Sequence, residues 1–159
     1  MGVLADLTYT HLEVNSTVEG IQKTIEHARE VRHTPEDVYA SLVLLVPSAM
    51  ALRDRLVKYF AYQREHLFPR VCRVFGGDME ELGALDQYHV QIIESLDHFL
   101  SELPNDEDSE ELSHKPMRIA YLELVFEEFL DLYERHCSLE RTFYETYSTI
   151  LFPGGAMTD

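Results

Sequence analysis

The chain has 159 residues, enough for one domain with a sizeable buried core, and 45% of them are apolar. Its formal net charge of −16 argues against a nucleic-acid partner, which calls for a basic face, and against an anionic membrane surface. The opening residues, MGVLADLTYT, hold no basic stretch followed by an apolar core, so no secretory signal is expected.

Gly2 invites the myristoylation pattern, but Asp6 stands where that pattern needs Ser or Thr. A first helix is expected over about residues 7–32. HTPED follows, with Thr34 as N-cap and Pro35 at the first helical position. A second helix spans 35–75 and carries the longest apolar run, residues 38–52. That run is short for a bilayer, and Pro47 interrupts it, which predicts a kink or break there. GGD at residues 76–78 ends the second helix, and a third covers 80–103. The acidic stretch 106–111 reads as a solvated loop. SHKP, with Ser113 as cap, opens a fourth helix over 114–151, and PGG closes it. Cys72 and Cys137 show no CxxC spacing and read as buried free thiols in a reducing, cytoplasmic setting. Strand signals are weak throughout. Four long helices with short connections predict an all-α, antiparallel up-down-up-down four-helix bundle formed by residues 1–159 as one domain.

Apolar residues recur at steps of three and four, the spacing of an inward-facing helical stripe. The first helix gives Leu7, His11, Val14, Val18, Ile21, Ile25 and Ala28. The second gives Ala49, Leu52, Leu56, Tyr59, Gln63, Leu67 and Val74, with Phe60 beside Tyr59. The third gives Leu82, Leu85, His89, Ile92, Leu96, Phe99 and Leu103. The fourth gives Ile119, Leu122, Phe126, Phe129, Tyr133, His136, Glu140, Phe143, Tyr147 and Ile150. Each stripe is interrupted by ionisable or amide side chains: His11, Gln63, His89, and the pair His136 and Glu140.

Such groups are seldom buried unless they are paired or hold a metal. Reversing direction from helix to helix brings His11 and His89, early in their helices, level with Tyr59, Gln63, His136 and Glu140, late in theirs. Three imidazoles and a carboxylate in one layer are the ligand types of a first-row transition metal, and bundle cores commonly host such sites. The competing reading is a neutral polar layer satisfied by its own hydrogen bonds. His27 and His98 point away from the ligand positions of their helices. His33 and His114 lie near helix ends, and His66 lies toward the stripe edge.

This pattern resembles the hemerythrin-like (HHE cation-binding) family. That family carries one His on its first helix, His-x3-Glu on the second, one His on the third and His-x3-Glu on the fourth. Its second-helix motif, His-Phe-x-x-Glu-Glu-x-x-Leu-Phe-Pro, compares with YFAYQREHLFP at residues 59–69. His11, His89, and His136 with Glu140 match the other positions. Tyr59 and Gln63 replace the second-helix His and Glu. Glu65 lies about 200° around the helix from Gln63 and is not counted as a ligand. The resemblance implies non-haem iron, with two ions bridged by carboxylate and an oxo or hydroxo species. The expected partner is then a small diatomic molecule or peroxide, carried, sensed or reduced, and catalase-like or oxidase-like activity is left open.

On this reading His11 and Tyr59 bind one ion, His89 and His136 bind the other, and Glu140 bridges. Gln63 is a weak ligand or a hydrogen-bond donor. Tyr62, Tyr133 and Tyr144 are further hydrogen-bonding or packing groups. A phenolate at 59 suits ferric over ferrous iron, which favours peroxide or oxidised-state chemistry over reversible oxygen carriage. Two alternatives stand beside it. One is a single iron or zinc held by His89, His136 and Glu140. The other is a metal-free bundle that acts through its surface, with the basic face of Arg53, Arg55, Lys58, Arg64, Arg70 and Arg73 as the candidate.

Overall fold

A computed structural model of the chain describes residues 3–30, 35–77, 79–104 and 116–153. The described residues are helical, with no strand among them. Helix α1 runs Val3–Glu30, α2 Pro35–Tyr62, α3 Phe68–Phe75, α4 Glu80–Glu102, α5 Pro116–Thr146 and α6 Ser148–Leu151. A π-helical turn, Gln63–Leu67, joins α2 to α3. Thr34, Ser113, the acidic stretch 106–111, His33 and His114 fall outside the described residues.

Local chemistry accounts for the boundaries. Pro35 opens α2, where its missing N–H is not needed by the helix. The helix then passes through Pro47 without a break, contrary to the expected interruption. Pro47 is exposed, so water can satisfy the carbonyl that its ring deprives of a donor. Gly76 ends α3 in a left-handed conformation, φ 75°, and its N–H bonds the Cys72 carbonyl at 2.8 Å. That conformation comes without strain only to a residue lacking Cβ.

Helix α1 packs on α2 and α5, and α4 packs on α2 and α5. One apolar core lies between them. All the apolar stripe positions expected in the first, third and fourth helices are buried, except Tyr147 and Ile150, which are half-buried. Leu52, Leu85, Ile92, Leu96, Phe99, Leu122 and Phe129 are fully enclosed. Burying each such side chain stabilises the fold by about 1.5–3 kcal/mol. The second stripe holds as far as Leu67 and then shifts. The wider π-turn turns Phe68 and Val71 inward, whereas Val74, expected inside, is 60% exposed.

Cys72 and Cys137 are free and half-buried rather than fully buried. Three of the six residues of the expected basic face have carboxylate partners. Arg53 binds Asp97, Arg55 approaches Glu13 at 3.8 Å, and Arg64 approaches Asp86 at 3.6 Å. Among the described residues no helix is long and apolar enough to cross a membrane.

Leu96 touches no solvent and Leu124 is 62% exposed. Leu96→Ala is therefore expected to lower unfolding free energy by about 2–5 kcal/mol, and Leu124→Ala to change it by less than about 0.5 kcal/mol. Denaturant titration of the two variants checks the assignment of the core.

Candidate metal centre

The six polar stripe residues meet in one continuous cluster. From α1, the His11 Nε2 lies 3.1 Å from both Tyr59 Oη and Glu140 Oε1. From α2, Tyr59 donates its phenol proton to Glu140 Oε1 in a short hydrogen bond. From α4 and α5, the Nε2 atoms of His89 and His136 face each other at 3.0 Å. His136 Nδ1 is 3.4 Å from the second oxygen of Glu140. Gln63, the first residue of the π-turn, places Nε2 2.6 Å from Tyr144 Oη and 3.2 Å from Tyr59 Oη.

Gln63, His89, His136 and Glu140 are buried, and Tyr59 and Tyr144 nearly so. His11 differs from the expectation. Its side chain is 30% exposed, so it stands at the rim of the layer rather than inside the core. The residues set aside stay outside. His27, Glu65, His66 and His98 are exposed, with His66 against Tyr62 and His98 beside Tyr121 and Glu102.

One feature was not legible in the spacing. His89 stacks near-parallel to two aromatic rings, Phe60 at 4.0 Å and Phe68 at 6.0 Å between centroids. The π-turn that brings Phe68 round has no composition signal. Tyr144 joins the cluster through Tyr59 at 3.1 Å and through Gln63. Its position one turn beyond Glu140 is the signal that marks it as a neighbour of the ligand positions.

The protonation states follow from these surroundings. Burial pushes the His89 imidazole down to about 3, helped by the neighbouring His136 and Arg64. Burial also lowers His136, against the opposing pull of the Glu140 carboxylate. Burial alone would raise Glu140. The hydrogen bond from His11, the nearby His136 and the bond from Tyr59 outweigh it and hold the carboxyl below its usual range. Tyr59 and Tyr144 are both pushed up by burial and by the Glu140 charge. The ground arrangement is thus one carboxylate, neutral imidazoles in the interior and two protonated phenols.

The residue types are those that ligate first-row metals. The layer offers three imidazoles, a carboxylate and a phenol, and the two facing Nε2 atoms are separated like neighbouring ligands on one first-row ion, about 3 Å apart. Four polar atoms of the layer, Gln63 Oε1, His89 Nδ1, His136 Nδ1 and Glu140 Oε2, are buried without a hydrogen-bond partner. The carboxylate of Asp86 lies 3.7 Å from His89 Nδ1, on the side that leaves Nε2 for the layer. The spacing is tighter than a metal cage, however. Among the described residues no group of three or more His, Cys, Asp or Glu side chains has the arrangement to hold a metal ion. Comparison with protein-family models, with curated proteins and with solved structures returns no match.

Neutral burial of His89 and His136 gives the fold a defined acid sensitivity. Their folded affinities for protons lie below the unfolded value of 6.5, so the unfolded state takes up protons first as pH falls. Stability is expected to be flat above that value and to decline from about pH 6.5 toward pH 3, by up to about 1.4 kcal/mol per pH unit for each histidine. Chemical denaturation across pH 7.5 to 4 on metal-free protein checks this, and His89→Phe should make the decline shallower.

Proposed function

We propose that this chain is a hemerythrin-like, up-down-up-down four-helix bundle whose polar layer holds non-haem iron and reacts with or senses peroxide, dioxygen or nitric oxide. The observation that carries the reading is the place of Glu140. One of its oxygens faces His11 and Tyr59, and the other faces His136, which in turn faces His89. A single carboxylate thus stands between two imidazole-bearing halves. The bundle topology is supported by contacts at both ends of α1. His11, early in α1, meets Glu140, late in α5; Arg29, late in α1, meets Glu123, early in α5, at 2.6 Å.

In this reading His11, Tyr59, His89, His136 and Glu140 would hold the iron. Bound iron supplies one-electron redox change and free coordination positions for a small ligand. The remaining work belongs to the chain. Phe60 and Phe68 keep water from His89 and fix its ring plane. The Asp86 carboxylate lies 3.7 Å from the same ring, beyond hydrogen-bond reach. His11 is the layer's contact with solvent and marks where a small molecule enters. Tyr59, once its proton has left, is a hard anionic donor that favours ferric iron. Oxidised-state or peroxide chemistry follows from that, rather than reversible oxygen carriage. A cytoplasmic setting accords with the two free cysteines.

A second reading is favoured by one specific observation. The Tyr59–Glu140 and Gln63–Tyr144 hydrogen bonds close much of the layer by themselves, with no metal-holding group among the described residues. Such a layer would belong to a metal-free bundle acting through its surface.

Elemental analysis of protein produced with ample iron separates the readings. Two irons per chain are expected; one points to a mononuclear site at His89, His136 and Glu140, and none to the metal-free bundle. His136→Ala should abolish most of the bound iron, and His27→Ala, at an exposed position outside the layer, should leave it unchanged. Equal losses would mean that the site lies elsewhere. The iron-loaded protein should also show a broad visible absorption from phenolate-to-ferric charge transfer, lost in Tyr59→Phe, which keeps the ring and removes only the oxygen.

A further inference from the structure

The outward face of α2 is at odds with the rest of this acidic molecule. The chain carries a formal net charge of −16, yet no Asp, Glu, Lys or Arg occurs from Val38 to Leu52. The inward side chains of that run, Leu42, Leu45, Ala49 and Leu52, are buried in the core. The outward ones are apolar as well. Ala40, Leu44, Pro47, Met50 and Ala51 are exposed, Leu44 by 69% and Met50 by 55%. A helix that is apolar all round is normally covered all round. Among the described residues, α1 and α4 pack on α2 and leave this side open. From Ala40 the exposed face continues at steps of three and four, the spacing of a seam between two paired helices, to Asp37 at one end and to Asp54 and Lys58 at the other.

We propose that this face pairs two copies of the chain, α2 against α2 and antiparallel, about a two-fold axis beside Pro47. Size and charge select that occupant. Run antiparallel and centred between Pro47 and Ser48, the seam sets Leu44 of each copy over Ala51 of the other, a large side chain over a small one. Lys58 then stands opposite Asp37, and Asp54 stands opposite the uncharged Ser41. Run parallel, Asp37, Asp54 and Lys58 would each meet their own counterpart, and every one of those contacts sets like charge on like. The antiparallel arrangement is self-complementary, as an isologous interface requires. A second copy also fits the net charge. Two acidic chains repel, so they tolerate contact where neither brings charge, and an uncharged seam with acid at one end and base at the other meets that condition. The face is about 33 Å long at a rise of about 1.5 Å per residue and about one helix, roughly 10 Å, wide, on the order of 350 Å² per copy. Interfaces of that size are weak, so the pairing is reversible and set by concentration. It does not depend on whether the polar layer holds iron.

The test is the mass of the full chain in solution, followed by sedimentation from the low to the high micromolar range. The weight-average mass is expected to rise reversibly from 18.5 kDa toward twice that value. Leu44→Glu and Ala51→Glu should each hold it at the monomer value, with helix content and melting temperature unchanged because both positions are exposed. Leu124→Glu, at a position 62% exposed on α5, should associate like the unsubstituted chain. Cysteine substitution reads the direction of pairing. Mild oxidation should link Pro47→Cys, beside the axis, to its own copy and leave Ala40→Cys unlinked. The unsubstituted chain, whose Cys72 and Cys137 are half-buried, is the control for the native thiols. A chain that stays at 18.5 kDa throughout overturns the proposal, and so does a dimer that persists in both Leu44→Glu and Ala51→Glu. Linking of Ala40→Cys as fast as Pro47→Cys means a parallel pairing and overturns it too. A monomer that instead floats with phosphatidylcholine vesicles, and no longer does so in Leu44→Glu, assigns the face to a lipid surface and overturns it as well.

Discussion

An ionised carboxylate buried at 2% exposure is the constraint around which this molecule is organised. Taking Glu140 out of water costs several kcal/mol unless its lone pairs are satisfied in a fixed geometry. No single helix can satisfy them. α1 supplies His11 and α2 supplies Tyr59, both to one oxygen, while His136 on α5 stands 3.4 Å from the other, which has no hydrogen-bond partner. Register between three helices is therefore set by one side chain. Sliding α1 by a turn would leave the carboxylate short of a donor, whereas the same slide in a purely apolar core would only exchange one leucine contact for another. The apolar stripes hold the helices together, and the polar layer selects one alignment among several of similar burial.

The layer departs from a simple salt-bridged cluster in the balance of its charges. His89 and His136 are held neutral by burial, so the interior carries one net negative charge rather than a compensated pair. Protonated phenols solvate that charge from one side. On the other, two imidazole nitrogens face each other, and they can share one hydrogen at most while both are neutral. The charge is thus solvated on the phenol side only, and the Nδ1 atoms of His89 and His136 are left without partners.

Much of this was legible in the sequence because a long helix repeats its inward face at a known period. The third and fourth stripes were read almost residue for residue, since α4 and α5 are regular and their polar members fall on the same face as the leucines and phenylalanines around them. The His136 and Glu140 pair, one turn apart, needed only that period. Three things were hidden. Pro47 did not interrupt α2, because the cost of a proline depends on whether its helical turn faces water, which composition does not report. Val74 was assigned inward because an unbroken period was assumed past Leu67. His11 fits its stripe in angle, yet it lies near the end of the bundle, and period alone does not measure distance from that end.

The π-turn is where the hidden geometry and the layer come together. A π-turn has poorer hydrogen-bond geometry than an α-turn and is seldom kept without a local reason. Here it sits between the two groups that most shape the centre. Gln63, at its start, reaches both phenols. Phe68, just after its end, stacks near-parallel to His89, as Phe60 does. A regular helix advances the inward face by a fixed angle per residue, so the position that aims Gln63 at Tyr59 and Tyr144 would carry Phe68 away from His89. One extra residue in the turn resets the angle between them. It lets a single helix donate a hydrogen bond to the phenol half of the layer and cover the imidazole half with an aromatic ring. The irregularity is local, and its effect is to place the two halves of the site under the control of six consecutive residues, Gln63 to Phe68.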